Sequence, residues 1–356
     1  MIVVNYCTDI IRGTYDALAA SDIGVYLRAD MKVSLKPNLV VPCPASDGAT
    51  THPEVAQGVL LFLRDFGVSL DNVRIIESSW VGDCTKRAFM YCGYDELSQK
   101  YATALVDLKD DSFKSYSFGG FDILVCDEAM DTDFLINIPV LKAHCQTGLT
   151  CSLKNLKGCI PDSEKRRFHT LGIHKPVAAL NGIIKTGYCV VDGICGDLSF
   201  EEGGTPVDSR RIIAGRDPLL VDSFCAELIG YLPDEIGYIK YGAQLGLGEI
   251  FSDKTELVEL NADLKPTVDL RRDRLADKYS RFIEEDSACS ACYSALVFAL
   301  HRLGGRARFD GKLHIGQGFK SKRGAGIGIG VCAGGFNKCV SGCPPKAADI
   351  VAAFLK

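Results

Sequence analysis

The chain has 356 residues, of which 47% are hydrophobic and 24% are charged, and its formal net charge is −5. A chain of this length can bury a large core that is divided into subdomains. The acidic balance argues against general nucleic-acid binding. No apolar run reaches the roughly 18 residues of a membrane-spanning helix, and the first residues lack the charged start of a signal peptide. We therefore expect a soluble, cytoplasmic protein.

Short apolar runs alternate with segments of helical periodicity through the first 261 residues. Strands are predicted over residues 2–6, 33–41, 73–77, 105–108, 123–126, 134–140, 188–194, 211–214 and 255–260. Helices are predicted from residue 8 towards residue 27, from 51 to 63, from 85 to 93, and over 174–186, 218–229 and 234–245. This order favours an α/β fold with a mostly parallel sheet and helices on both of its faces.

The predicted domain boundaries follow from these patterns. Residues 1–261 form the α/β domain, in one or two subdomains, and contain the anion site described below. The charged, weakly patterned residues 262–286 are predicted to be a linker or surface segment. Residues 287–356 form a small C-terminal module that is rich in cysteine.

The segment from Phe134 to Pro161 carries the main functional signal. Its apolar run predicts a buried strand, and Lys142 and His144 follow directly after the strand end. In open α/β sheets, ligands bind beyond the carboxyl ends of the strands. From Lys142 to Lys175 the chain has seven lysines and arginines against two acidic residues. This basic island predicts a site for an anionic ligand, although a solvated basic surface has the same composition.

Candidate roles can be given to individual residues around this island. Lys142 and His144 are predicted to be catalytic, and His174 is predicted to act as a general acid or base, a role that His169 could share. The predicted substrate-binding residues are Lys36, Asn38, Lys154, Asn155 and Asp192. The alternative roles are structural, with Asn38 and Asp192 satisfying turns, His174 starting a helix, and the lysines lying on an exposed surface.

The chain has 16 cysteines, and most are expected to be buried, reduced side chains rather than a disulfide framework. The C-terminal ones are spaced like metal ligands. Cys289 and Cys292 form a C-x-x-C pair at the start of an apolar helix, and Cys343 precedes two prolines. With Cys332 as the fourth ligand, and Cys339 as the alternative to it, these thiolates predict a 4Fe-4S cluster. Structural zinc and plain reduced cysteines are the other interpretations.

Several motifs together resemble the iron–sulfur family named "domain of unknown function 362". The segments that carry the resemblance are LKPN (35–38), LINIPVLKAH (135–144), GLTCSLKNLKG (148–158), VVDGICG (190–196), AGRDPLLVD (214–222) and GCPP (342–345). The resemblance covers nearly the whole chain and implies an iron–sulfur protein of unspecified reaction. The layout around Lys142, His144 and Lys154 is also similar to the anion-binding half of the nickel-pincer lactate racemase family.

These observations lead to two functional hypotheses. The first is a redox enzyme, or an enzyme whose cluster acts as a Lewis acid, with a small anionic substrate and a ferredoxin-type electron donor. The second is a non-catalytic electron-transfer or maturation protein that docks a protein partner. A concave pocket that joins the lysines and histidines to the cysteines would favour the enzyme. The sequence has neither a P-loop nor a G-x-G-x-x-G motif after a strand.

Overall fold

The computed structural model describes residues 1–271 and 275–355. The strands are, in chain order, β1 (Ile2–Tyr6), β2 (Val33–Pro37), β3 (Val73–Glu77), β4 (Ala104–Asp107), β5 (Phe113–Phe118), β6 (Phe121–Cys126), β7 (Phe134–Ile138), β8 (Lys142–His144), β9 (Gly148–Thr150), β10 (Thr186–Asp197), β11 (Pro206–Gly215), β12 (Leu257–Leu260), β13 (Ile283–Glu285), β14 (Leu313–Ile315), β15 (Gly324–Ile329) and β16 (Phe336–Val340).

The α-helices of the described residues alternate with these strands. They are α1 (Ile10–Ala19), α2 (Pro53–Phe66), α3 (Thr85–Tyr91), α4 (Tyr94–Tyr101), α5 (Asp127–Met130), α6 (Ser152–Asn155), α7 (Asp162–Thr170), α8 (His174–Ile183), α9 (Pro218–Leu228), α10 (Gly237–Gln244), α11 (Leu275–Ser280), α12 (Ser290–Leu303) and α13 (Ala347–Phe354). Within the described ranges, no helix has the length and apolar character that crossing a membrane requires.

A large sheet dominates the first part of the chain, as the sequence predicts. In the described residues it has eight strands in the order β12-β1-β11-β10-β7-β2-β3-β4. Every neighbouring pair is parallel except the two pairs that contain β11, which runs antiparallel to β1 and β10. Because β2, β3 and β7 are parallel, their carboxyl ends meet at one edge of the sheet. This is the edge where α/β proteins bind ligands.

Helices cover both faces of this sheet. Because successive side chains of a strand point to opposite faces, each strand contributes residues to two separate cores, one on each face. In β7, Leu135 packs on the face covered by α8, α9 and α10, whereas Phe134 and Ile136 pack on the face covered by α1 and α2. A strand that is buried on both faces is largely apolar, which explains the apolar run of β7, where Asn137 is the one polar residue.

Some predicted strands differ in extent or place. The strand predicted over residues 33–41 ends at Pro37, and the strand predicted over 188–194 continues to Asp197 through an irregularity between Gly193 and Cys195. The strand predicted over 123–126 pairs only with β5, in a separate hairpin. A one-dimensional pattern predicts an extended segment but not its partner, so the hairpin could not be distinguished from a sheet strand.

The C-terminal part forms a second, smaller unit with its own core. In the described residues, β13 to β16 make a parallel sheet that packs with α12 and α13. The sheet begins at β13, inside residues 262–286, which the sequence predicts to be a linker or surface segment. Gln146 of the larger unit donates to the carbonyl of Ala288 at 2.9 Å and accepts from Ser290 Oγ at 2.8 Å. The rings of Phe200 in the larger unit and Phe298 in α12 also pack edge to face.

Candidate functional site

A cavity of about 210 Å³ lies at the carboxyl ends of β2 and β7, against the C-terminal unit. Its walls come from both units. The predicted site residues that line it are Lys36, Asn38, Lys142, His144, Lys154, Asn155, Cys289, Cys292, Cys332 and Cys343. Folding therefore brings the basic island and four of the five candidate cysteines, which are far apart in the sequence, to one cavity.

The short helix α6 presents Lys154 to the cavity, and a carboxylate from α9 holds its N-terminus. The two carboxylate oxygens of Asp222 accept the backbone N–H of Ser152 at 2.7 Å and of Leu153 at 3.0 Å. The side chain is fully buried, and burial raises the pKa of Asp222 to about 7 although these hydrogen bonds oppose the rise. The carboxylate satisfies N–H groups that a helix start leaves without partners. Asp222 thus fixes the position of α6.

Asn155, at the end of α6, ties the helix to β2 and β7. Its Oδ1 accepts hydrogen bonds from Asn38 Nδ2 at 3.0 Å and from Lys36 Nζ at 3.3 Å. Its Nδ2 donates to Asn137 Oδ1 at 2.8 Å and to the carbonyl of Lys36 at 3.0 Å. Both the oxygen and the nitrogen of the amide group are therefore hydrogen-bonded within the protein. Asn155 is therefore placed to support the cavity wall.

The ammonium group of Lys36 is also hydrogen-bonded within the protein. Its Nζ donates to Glu77 Oε2 at 2.7 Å and to the carbonyl of Pro37 at 2.6 Å, in a fully buried setting. Gly158 packs directly on this ion pair, because a Cβ there would lie 2.0 Å from Glu77 Oε1 and 2.6 Å from Lys36 Nζ. The absence of a side chain at Gly158 lets the turn after α6 close over the pair.

Lys142 lies deep in the wall and donates to neutral oxygens. Its Nζ donates to the carbonyl of Ala49 at 2.5 Å and to the carbonyl of Glu201 at 2.8 Å, and it lies 3.4 Å from Asn38 Oδ1. Burial lowers the pKa of Lys142 to about 8, although the charge of Glu201 opposes the fall. The ammonium group is thus oriented by dipoles and not neutralised by a direct ion pair.

Lys154, Lys157 and His169 have few hydrogen-bond partners among the described residues. Lys154 Nζ donates to Thr150 Oγ1 at 3.3 Å, and Lys157 Nζ lies 3.4 Å from His169 Nε2. Within the described residues, Nδ1 of His169 is buried without a hydrogen-bond partner. Burial and the charge of Lys165 lower the pKa of Lys157 to about 8. Burial, followed by repulsion from Lys157, lowers the pKa of Lys154 well below its usual value. A bound anion would relieve this repulsion.

Two backbone N–H groups determine which ring nitrogen of His144 carries the proton. Its Nδ1 accepts the N–H groups of Gln146 at 3.1 Å and of Thr147 at 3.2 Å, so Nδ1 carries no proton and the ring proton sits on Nε2. Nε2 lies 3.5 Å from Glu201 Oε1. Burial, followed by the charge of Lys154, lowers the pKa of His144 well below its usual value. His144 is therefore a neutral imidazole that offers an N–H donor.

The four cavity cysteines come from three turns of the C-terminal unit. Cys289 precedes α12 as its N-cap, and Cys292 lies in the first turn of that helix. Cys332 lies in the turn after β15, and Cys343 follows β16. Burial, followed by repulsion from the thiolates of the other three, raises the pKa of Cys292 to about 12. A helix N-terminus stabilises thiolate ligands because its N–H groups point at them.

The surroundings of these thiols leave room on the cavity side. A Cβ at Gly330 would lie 3.9 Å from Cys292 Sγ and 3.4 Å from the carbonyl of Gly342. Gln317 Nε2 lies 3.7 Å from Cys289 Sγ, within reach of an N–H···S contact. Over residues 1–271 and 275–355, no three or more His, Cys, Asp or Glu side chains converge closely enough for a single metal ion. A four-iron cluster spreads its thiolates over separate iron atoms.

Cys339, the alternative ligand, has a different environment. It is exposed and does not line the cavity, and its Sγ lies 3.7 Å from the carbonyl of Gly330. Of the two candidates for the fourth place, Cys332 therefore shares the cavity with the other three thiols.

Comparison with known proteins identifies the family. The sequence model described as "Domain of unknown function (DUF362)" matches residues 33–227, which is more than half of the chain. The chain belongs to this family. The matched region contains α6 and the basic wall of the cavity, whereas the four cysteines lie beyond it.

A curated relative and two solved structures are also similar to this member of the DUF362 family. The thylakoid-associated protein sll1697 of Synechocystis sp. is 24% identical over 247 residues, which cover 65% of this chain and 74% of the relative. The lactate racemase apoprotein of Thermoanaerobacterium thermosaccharolyticum matches with 12% identity and a TM-score of 0.43. A protein of Thermotoga maritima matches with 14% identity and a TM-score of 0.38. Each match covers 66% of this chain, which spans 57% and 58% of the two structures, less than two thirds of each.

Two predicted site residues of this DUF362 protein lie away from the cavity. His174 lines a second cavity, of about 410 Å³, and its ring stacks on Tyr238. Asp192 is fully buried and accepts hydrogen bonds from the backbone and the ring of His52. The sequence placed Asp192 at a strand end and His174 at a helix start, but it could not show which way their side chains point.

His169, which the sequence analysis names as a possible general acid or base, lines the cavity. Four further residues line it that have no predicted role: Glu77, Lys157, Lys165 and Gln317. Lys157 and Lys165 belong to the basic island, so the charge count was the signal that could have selected them. Glu77 ends β3, where a carboxylate beside a lysine-ended neighbouring strand was a weaker signal. Gln317 lies in a turn of the C-terminal unit with no motif around it.

Proposed function

We propose that this protein is an iron–sulfur enzyme that binds a 4Fe-4S cluster through Cys289, Cys292, Cys332 and Cys343 and acts on a small anionic substrate. The observation that carries the proposal is that these four thiols and the lysine–histidine wall line one cavity. When bound, such a cluster supplies a one-electron redox centre, or a Lewis acid where one iron is open.

The donor set supports a cluster at this position. Four thiols from three turns line the cavity, no side chain at Gly330 occupies the space beside Cys292 Sγ, and Gln317 can donate to Cys289 Sγ. Burial and repulsion from Cys332 and Cys343 raise the pKa of Cys289, and the charges of Lys157 and Arg166 oppose part of this rise. Cationic neighbours of this kind offset the negative charge that thiolate ligands bring. The 16 cysteines are free thiols, which suits a reducing compartment such as the cytoplasm.

The electrostatics of the opposite wall support an anionic substrate. Among the described residues that line the cavity there are six lysine and arginine side chains and two carboxylates, and one of the carboxylates, Glu77, is already paired with Lys36. Lys154 and Lys157 would provide the principal contacts to the anion. His144 would donate from Nε2, and His169, with an unpartnered ring nitrogen, would accept or deliver a proton. The volume of about 210 Å³ lies below the roughly 300–1,000 Å³ of typical ligand pockets, so the substrate would be small.

The shape of the site supports the enzyme over the alternative of an electron carrier or maturation protein. A carrier exposes its cluster on a convex surface for a partner, whereas these thiols face a concave cavity with the lysine–histidine wall. An electron donor of the ferredoxin type would still be needed for a redox reaction, and it would approach the exposed side of Cys343.

Anaerobic purification followed by iron and sulfide counting and EPR spectroscopy tests the cluster. We expect about four irons and four sulfides per chain, with a signal after dithionite reduction that is lost in Cys343→Ala and in Cys332→Ala. Cys339→Ala is the matched control, since Cys339 lies outside the cavity, and it should retain the cluster. One zinc ion and no sulfide would replace the redox proposal with a structural metal site. Loss of the cluster in Cys339→Ala with retention in Cys332→Ala would show that Cys339, and not Cys332, is the fourth ligand.

A further inference from the structure

A cysteine, a histidine and an aspartate lie in line outside both cavities. His52 Nε2 lies 3.6 Å from Cys195 Sγ, and on the other side of the ring His52 Nδ1 lies 2.8 Å from Asp192 Oδ2. Neither Cys195 nor His52 lines either cavity. The proposed function therefore leaves all three side chains unused.

The orientation of the histidine ring is strongly determined. Asp192 Oδ2 also accepts the backbone N–H of His52 at 2.7 Å, while Oδ1 accepts the N–H of Ile194 at 3.1 Å. Because the carboxylate can only accept, Nδ1 of His52 must carry a proton. Nε2 is thereby directed at the sulfur of Cys195. Burial alone would lower the pKa of His52, but the charge of Asp192 and the contacts with Asp192 and Cys195 raise it to about 11.

The position of Cys195 makes its sulfur available. Cys195 lies at the irregularity of β10, where the pairing with β11 shifts between Gly193 and Cys195. Bulges of this kind redirect a side chain out of the regular sheet alternation. The residue is half-buried, and besides His52 its Sγ contacts the carbonyl of Ala45 at 3.6 Å.

We propose that Cys195 is a reactive thiol, activated by His52 and Asp192, and that it is a site of thiol–disulfide exchange with small disulfides such as glutathione disulfide. An imidazole within reach of the thiol, itself oriented by a carboxylate, is the arrangement that activates nucleophilic cysteines. In the reaction the sulfur of Cys195 attacks one sulfur of the disulfide, forming a new S–S bond and breaking the old one. The proton shared by Cys195 and His52 ends on the departing thiolate, so the products are a mixed disulfide and one free thiol.

The proposal is tested on the whole protein, purified anaerobically and exposed to glutathione disulfide at pH 7. Mass spectrometry of tryptic peptides gives the rate for each cysteine, and fragmentation separates Cys195 from Cys189 on their shared peptide. Cys43 is the internal reference, because it is also half-buried and burial raises the pKa of its thiol. We expect Cys195 to react at least tenfold faster than Cys43 in the wild-type protein.

Variants then test whether His52 causes the reactivity of Cys195. His52→Gln keeps the backbone N–H that Asp192 accepts but removes the imidazole, and we expect it to slow Cys195 at least tenfold while leaving the rate of Cys43 unchanged. Asp192→Asn should have a smaller effect in the same direction. Equal rates for Cys195 and Cys43 in the wild-type protein would overturn the proposal without any variant. An unchanged Cys195 rate in folded His52→Gln would also overturn it.

Discussion

Lys36 Nζ lies 2.7 Å from Glu77 Oε2, and the two side chains are 1% and 3% exposed. The pair joins the ends of two neighbouring parallel strands beneath the cavity. Glu77 also accepts the N–H groups of Leu39 and Ser78. The carboxylate thus has a partner on every side, and the loss of its lysine would leave a buried negative charge.

Removal of this lysine should destabilise the fold strongly. We expect Lys36→Met to lower the free energy of unfolding by about 3–5 kcal/mol, because an uncompensated buried charge remains. Lys32→Met is the control, since Lys32 pairs with Asp131 on the surface, and it should cost less than about 1 kcal/mol. Urea unfolding followed by the fluorescence of Trp80, the chain's one tryptophan, measures both. Equal effects of the two substitutions would show that the buried pair is not structural.

Asp222 should matter for both stability and ligand binding, because it holds α6. Asp222→Ala leaves two buried N–H groups without acceptors, and we expect it to lower the free energy of unfolding by roughly 2–4 kcal/mol. It should also weaken anion binding by displacing Lys154. Asp9→Ala removes a comparable contact at the start of α1, far from the cavity, and should cost about 1 kcal/mol without affecting anion binding. Unfolding curves and phosphate titration separate the two cases.

The charge of Lys157 should lower the free energy of unfolding near neutral pH. Its pKa falls from 10.5 to about 8 in the folded protein, which corresponds to a cost of about 3 kcal/mol when it is charged. We therefore expect Lys157→Met to be more stable than the wild-type protein at pH 7. The unfolded chain keeps this proton up to a higher pH than the folded chain does. The advantage of the variant should consequently shrink as the pH rises from about 8 to about 10.5.

Lys165 provides the contrast to Lys157. It donates to Ser78 and to the carbonyl of Ser79 and pairs with Asp162 at 3.2 Å. Its removal leaves those acceptors unpaired, so Lys165→Met should be destabilising at the same pH. Urea unfolding at several pH values measures both variants. A destabilised Lys157→Met protein would mean that Lys157 has acquired partners that stabilise its charge.

Anion binding should depend on the same lysines and on pH. Inorganic phosphate, titrated calorimetrically at pH 7, is expected to bind at least tenfold more weakly to Lys154→Met and to Lys157→Met, each of which loses an amine donor to the anion. Lys175→Met is the control, because exposed Lys175 lies over the ring of Tyr241, outside the cavity. It should bind as the wild type does.

The pH dependence of that binding follows from the lowered pKa values. Since the pKa of Lys142 and that of Lys157 are both about 8, raising the pH from 7 to 9 removes positive charge and should weaken binding. At pH 8 a bound anion should draw protons onto these lysines. The apparent binding enthalpy would then vary with the ionisation enthalpy of the buffer. Binding that is equal at pH 7 and pH 9, with no proton uptake, would contradict a role for these ammonium groups.

The local patterns of the sequence were sufficient for the α/β fold with its mostly parallel sheet and for the strand ends that line the cavity. Parallel strands that are buried on both faces are largely apolar, and β7 (FLINI) is apolar except for Asn137, whereas β2 (VSLKP) and β3 (VRIIE) mix apolar with polar residues. The residues after these strands were expected at the ligand-binding edge of the sheet. The charge count between Lys142 and Lys175 depends on composition alone. It pointed to the wall that contains Lys154 and Lys157.

The roles of individual side chains could not be obtained in this way. Whether Asn155 and Lys36 face a ligand or each other depends on hydrogen bonds between segments that are far apart in the chain. The same holds for Asp192, which folding directs to His52, and for His174, which folding directs to the second cavity. In each case the sequence specified the chemical group and the helix or strand that carries it or lies next to it, but not the direction of the side chain.

The sequence by itself determined which groups this protein possesses and which strand ends carry them, because strand burial and net charge are local properties of the chain. Only the tertiary structure decided that the C-terminal cysteines face the lysine–histidine wall across one cavity, and that Cys332 shares it while Cys339 does not. The reason is physical. These relationships arise from the packing of two units, each with its own core, and no periodicity within either segment records how their surfaces meet.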